Sequence, residues 1–194
     1  MEREVDMIHT YSINGVPLST GDLICTTNGD ETVIGGQIWR LIGKLVPGEV
    51  DHVAMYVGPN GRCVEAGAKL KAIAYSADSV WNSSAMAAAR GVHDTFYGIV
   101  YPLNGSKYSG AEQEKIRISV ANYCLAQVNA GKPYNLNFLD SEREDSFYCS
   151  QLVYKAYQKH GINLNTEKDV PQIPFTKSII FPQEIWSGFP NKRS

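Results

Sequence analysis

Apolar side chains recur at two different periods along this chain, and the switches between them mark its elements. Ile38, Leu41, Ile42 and Leu45 follow the i, i+3, i+4, i+7 spacing of an amphipathic helix over 35–44, closed by Pro47-Gly48. His52-Val53-Ala54-Met55-Tyr56-Val57 and Arg62-Cys63-Val64-Glu65-Ala66 are short apolar runs on either side of Gly58-Pro59-Asn60-Gly61, and together they predict a β-hairpin. Gly21-Asp22-Leu23-Ile24-Cys25-Thr26-Thr27 reads as a turn and a strand that ends at Asn28-Gly29-Asp30. Residues 1–19 are polar and irregular, with one short strand at most. Further strands are predicted over 71–75 and 96–103, with a short helix over 78–90 between them. Ile116, Val120, Tyr123, Cys124 and Val128 share one face of a helix over 110–130. Ser109 and Glu112 have the spacing of a capping box at its start. Cys149, Leu152, Val153, Ala156 and Tyr157 form the stripe of a second helix over 146–161, with Ser146 as its N-cap and Gly161 at its C-terminal end. Beyond 161 the chain is punctuated by Pro171, Pro174, Pro182 and Pro190. This predicts covering loops and one short helix that opens at Pro182.

These elements predict an α+β fold: a small antiparallel sheet packed against helices. At 194 residues and 43% hydrophobic, residues 1–194 are expected to form a single domain with its core over about 20–165. A net charge of −2, from 18 basic and 20 acidic residues, argues against a nucleic-acid partner. No apolar run has the roughly 18 residues of a membrane helix. Met1-Glu2-Arg3-Glu4-Val5-Asp6 is too acidic for a signal peptide, so the expected location is cytoplasmic. The four cysteines, Cys25, Cys63, Cys124 and Cys149, are far apart with no CxxC pair. They are expected to be free thiols, with no metal site and no cofactor.

Cys149 is the one cysteine at the start of a helix. There the macrodipole favours a thiolate, which is the nucleophilic form. A cysteine nucleophile needs a base and a group that orients the base. His52, at the start of a strand, is the best base. With Pro59-Asn60 as a two-residue tip, Ala54 faces Glu65. His52, Ala54 and Tyr56 share a face, so Glu65 falls diagonal to His52. An odd-numbered loop or a bulge would turn Glu65 to the other face. Asp51 is a rival orienter, which strand alternation points away from His52. Taken singly, a cysteine, a histidine and a glutamate in these contexts each have ordinary structural explanations.

The segments that carry these residues resemble a known superfamily. Asp51-His52-Val53-Ala54-Met55-Tyr56-Val57-Gly58 with Val64-Glu65-Ala66 resembles the His strand of the NlpC/P60 papain-like cysteine hydrolases. Phe147-Tyr148-Cys149-Ser150-Gln151-Leu152-Val153 resembles their Cys helix, and Gly131-Lys132-Pro133-Tyr134 their Gly-x-x-Tyr segment. Gly21-Asp22-Leu23-Ile24 resembles their Gly-Asp-Leu strand. The order His52, Glu65, Cys149 is similar to that of the circularly permuted YiiX/YebB-like branch and its poxvirus relatives; the lecithin–retinol acyltransferase group is permuted as well. The resemblance spans roughly residues 20–160. The third residue departs from many common members, which have His where this chain has Glu.

The resemblance implies a papain-like fold with Cys149 as nucleophile, His52 as general base and then acid, and Glu65 as orienter. It implies a thioester acyl-enzyme, with the Cys149 backbone N–H as one oxyanion donor. Tyr134 would line the substrate side. The superfamily's usual substrates are cell-wall peptides, often cut beside a diamino acid, and Asp22 or Glu49 could hold an ammonium group. The expected substrate is therefore a small peptide, an amino-acid amide or another acyl compound. The alternatives are a lipid acyltransferase or lipid hydrolase with an apolar groove near Trp81, Met86 and Phe181, or a non-catalytic binding module of the same fold.

Overall fold

The hairpin read from the sequence is the centre of a larger sheet. The computed structural model describes residues 1–30, 47–171 and 177–193, and among these it contains eight strands and four helices. β1 (Thr10–Ile13) and β2 (Val16–Ser19) pair as a separate hairpin, where the polar sequence suggested one strand at most. The main sheet comprises β3 (Leu23–Asp30), β4 (His52–Tyr56), β5 (Arg62–Ala66), β6 (Ala72–Ser76), β7 (His93–Val100) and β8 (Asn191–Arg193). Its order is β6-β5-β4-β3-β7-β8, and every neighbouring pair is antiparallel. The helices are α1 (Ser84–Arg90), α2 (Gly110–Asn129), α3 (Cys149–Gln158) and α4 (Pro182–Gly188). The helix expected over 35–44 lies outside the described residues.

Both faces of the sheet are covered, which is why its strands read as nearly continuous apolar runs. Leu23, Cys25, Val53, Met55, Val57 and Val64 point to the side of α2 and α3 and join Val120, Cys124, Leu152 and Val153 in one core. Ile24, Ala54, Tyr56, Cys63 and Ile99 point to the other side. There they meet Ile13, Val16 and Leu18 of the β1–β2 hairpin and Met86 of α1. The β4–β5 register pairs Met55 with Val64 and Tyr56 with Cys63, as the two-residue tip predicts. Gly61 at the tip has φ +75°, and a Cβ there would stand 2.0 Å from the Ala77 carbonyl oxygen. Glycine suits the position on both counts.

The capping box of α2 is present: the Ser109 N–H donates to Glu112 at 2.8 Å, and the Glu112 N–H to the Ser109 hydroxyl at 3.4 Å. α3 starts later than its apolar stripe suggests. Phe147 is drawn into extended pairing with the loop that precedes it. Its N–H donates to the Pro133 carbonyl at 3.0 Å, and its carbonyl accepts from the Asn135 N–H at 3.1 Å. The N-cap is therefore Tyr148 rather than Ser146, and Cys149 is the first residue of the helix. Every residue from Cys149 to Tyr157 is buried, so α3 is a central helix rather than a one-sided surface helix.

Candidate active site

Three segments converge on Cys149. α3 supplies the thiol at its first position, where the backbone N–H has no intrahelical acceptor. β4 supplies His52 at its first position, opposite Thr26 of β3. β5 supplies Glu65. His52 Nε2 lies 3.0 Å from Glu65 Oε2, the contact that the hairpin parity predicts. Asp51 is not the partner of that nitrogen. With Nε2 engaged, Nδ1 is the ring nitrogen left for the neighbouring Cys149 thiol. His52 keeps 16% of its side chain exposed, and Glu65 none. A Cβ on Gly67 would stand 3.2 Å from Glu65 Oε1 and 3.5 Å from His52 Cε1, so the small residue leaves the pair its room.

The electrostatics favour an ion pair. Burial by itself would raise the Cys149 thiol's pKa, but the charge and hydrogen bond of His52, the Val53 backbone N–H and the Ser150 hydroxyl outweigh it and hold the thiol below its ordinary value. Burial opposes charge on His52 as well, yet Cys149 and Glu65 lift the imidazole well above the ordinary histidine value. Glu65 is buried, and Arg90 together with His52 holds its carboxyl below the usual range. Cys25, Cys63 and Cys124 are free and buried, and desolvation pushes their thiols up.

Arg90 and Asp94 were missed from the sequence. Arg90 is the last residue of α1 and is fully buried. Its Nε donates to Glu65 at 3.0 and 3.2 Å, and its two terminal nitrogens donate to the two Asp94 oxygens at 2.7 and 2.8 Å. Asp94, on β7, also accepts from the Thr26 hydroxyl at 2.7 Å and from the Trp81 indole at 2.8 Å. The rings of Tyr75 and Trp81 lie against the guanidinium at 5.2 and 4.9 Å. A charged residue next to an alanine run, with one partner 25 residues upstream and the other on the strand that follows, leaves no hydrophobic signal. The bidentate fork that only arginine offers is visible in three dimensions alone.

The remaining expected residues are placed as follows. Tyr134 is buried close to Cys149, whose charge contributes to raising its pKa. Phe138 stands edge-on to Tyr134 and tilted against Tyr148. Asp22 is not brought to this centre. It lies near the C-terminal end of α3, where it accepts from Arg117 at 2.7 Å and from the Ser19 N–H at 2.7 Å. Tyr157 donates to the adjacent Gly21 carbonyl. Glu49 is exposed and accepts from the Tyr97 hydroxyl. Trp81 and Met86 are buried on the far face of the sheet, so the expected apolar groove is not built from them. Among the described residues no three His, Cys, Asp or Glu side chains converge as a metal site. No helix among them is long and apolar enough to cross a membrane.

Two further devices hold the site. Gln151, buried in the first turn of α3, accepts from the Asn135 side chain and the Tyr148 N–H, and donates to the carbonyls of Ser141 and Arg143. It thereby fastens the loop that leads into the helix. The C-terminal segment braces the elements that carry both Cys149 and His52. Ser150 donates to the Ile180 carbonyl at 2.6 Å, and the Ile180 N–H donates to the Tyr148 hydroxyl at 3.1 Å. Gln183 Oε1 accepts the N–H groups of Glu49 and Val50, just ahead of His52. Compared with protein families, residues 19–187 match the model described as a permuted papain-like amidase enzyme, YaeF/YiiX, C92 family. No curated protein and no solved structure matches the chain.

Proposed function

The chain belongs to the permuted papain-like amidase family, YaeF/YiiX, C92, and on that premise we propose that it hydrolyses an amide bond in a small peptide or amino-acid-containing substrate through a thioester on Cys149. The observation that carries the reading is His52 held between Cys149 and Glu65. His52 Nδ1 takes the thiol proton, and the thiolate attacks the substrate carbonyl carbon. Charge that develops on the carbonyl oxygen falls beside the Cys149 N–H at the start of α3. Collapse of the adduct breaks the C–N bond, and His52 returns its proton to the departing amine. A water molecule then gives its proton to His52 and attacks the thioester. The acid is released, and Cys149 leaves as the thiolate beside a protonated His52. Glu65 fixes the ring so that one nitrogen faces sulfur throughout.

Cys149→Ala should retain the fold and lose both thiol alkylation at this position and turnover in a library of peptide amides. His52→Ala should lower turnover by roughly 10²–10⁴-fold. Full turnover in the Cys149→Ala protein would refute the reading. A second reading, cleavage of an acyl ester, is favoured by the loop between Tyr134 and α3. Leu136 and Leu139 stand exposed there on either side of Phe138. Acyl esters in the same library, cleaved in preference to amides, would select it.

A further inference from the structure

Glu65 is not the end of the chain of charges behind His52. Continuing away from Cys149, the order is Glu65, Arg90, Asp94: two buried carboxylates with one guanidinium shared between them. Arg90 gives its fork to Asp94 and only its Nε to Glu65. Asp94 has two more donors, Thr26 and Trp81. Among the described residues, Glu65 has one further hydrogen-bonding partner, the His52 ring. Resting on the hydrolase reading above, we infer that Asp94 is a positioning residue of the site: by occupying Arg90 it leaves one negative charge of the buried set unmatched, and His52 answers that charge by holding a proton opposite the Cys149 thiolate.

Among the described residues, the other groups facing this set add no compensating cation. They are Cys63 and Glu65 on β5, Tyr75 on β6, Thr26 on β3, Trp81 ahead of α1, and His52 itself on β4. Neither Cys63 nor Tyr75 is ionised, because burial pushes both upward. The sum over Glu65, Arg90 and Asp94 is therefore −1. Neutralising Asp94 brings it to zero, which weakens the support for a charged imidazole and leaves the Cys149 thiolate and Glu65 as its partners.

Two measurements test this. In wild-type protein with isotope-labelled His, Asp and Glu, carbon and nitrogen NMR should show Glu65 and Asp94 both ionised across the pH range in which His52 loses its proton. Either carboxyl found protonated in that range overturns the inference, with no variant required. In Asp94→Asn, folded by circular dichroism, the His52 midpoint should move to lower pH by roughly half a unit to one unit, with the onset of Cys149 alkylation by iodoacetamide moving the same way. Asp94→Glu should restore the wild-type midpoints. A purely structural Asp94 would lower the melting temperature and leave the His52 midpoint unmoved, and that outcome also overturns the inference. Wild-type alkylation that fails to select Cys149 would sink the hydrolase reading itself. Selective alkylation with an unmoved midpoint would sink only the role given to Asp94.

Discussion

At the scale of single residues, Glu65 has two functions whose pH dependences can be separated. It orients His52, and it is one half of a buried ion pair with Arg90. Its folded pKa lies below the ordinary value, as does that of Asp94. Stability drawn from these carboxylates is therefore complete above their unfolded values of about 4 and is lost as pH falls through the folded values. His52 has the opposite sign, with its contribution complete below its unfolded value and lost as pH rises through its raised folded one. Glu65→Gln should destabilise the protein by about 3–5 kcal/mol at neutral pH, because Arg90 loses an ionic partner inside the protein. The gap between the urea unfolding free energies of wild type and Glu65→Gln should narrow as pH is lowered from 5 towards 2. A gap that is constant with pH would mean that the Glu65 charge has no part in stability. The His52–Glu65 contact was legible in the sequence because a two-residue tip fixes strand parity. The Arg90 contact was not, since nothing in a period-2 or period-3.6 pattern shows which buried carboxylate a buried cation will find.

Among the elements, α2 was the most legible and the approach to α3 the least. A capping box and an apolar stripe are local signals, and both ends of α2 follow from them. The start of α3 depends instead on Phe147 pairing with Pro133 and Asn135, contacts that only the folded loop creates. This displacement brings Cys149 to the first helical position and strengthens the case that its N–H is free to face a developing negative charge. The element-scale prediction concerns Gln151. Replacing it by Ala leaves the Asn135 side chain with the Asp140 carbonyl alone, the Tyr148 N–H without its acceptor, and the Ser141 and Arg143 carbonyls without this donor. The expected cost is about 1–3 kcal/mol, together with proteolytic cleavage within 135–145 that the wild type resists. Unchanged cleavage there would mean that the loop is held by its other contacts.

Over the whole molecule, a sheet buried on both faces divides the four thiols into two kinds. Cys25, Cys63 and Cys124 are sealed within the two cores, whereas Cys149 opens a helix beside a partly exposed imidazole. Native protein should accordingly take up one equivalent of a small alkylating reagent rapidly, at Cys149. The other three thiols should react only at the rate of global unfolding, read by peptide mass spectrometry in increasing urea. Early labelling of Cys25 or Cys124 would show that the helix-side core opens well before the rest. The permuted order of the site also bears on synthesis. Glu65, Arg90 and Asp94 leave the ribosome roughly 55–84 residues ahead of Cys149, a lead of about 3–17 s at ordinary elongation rates. The nascent chain thus carries Glu65, Arg90 and Asp94 before it carries Cys149, and the braces at Ile180 and Gln183 come later still. Of His52, Glu65 and Cys149, the sulfur is therefore made last, so its setting is complete only after the strand pair that carries the other two has been synthesised.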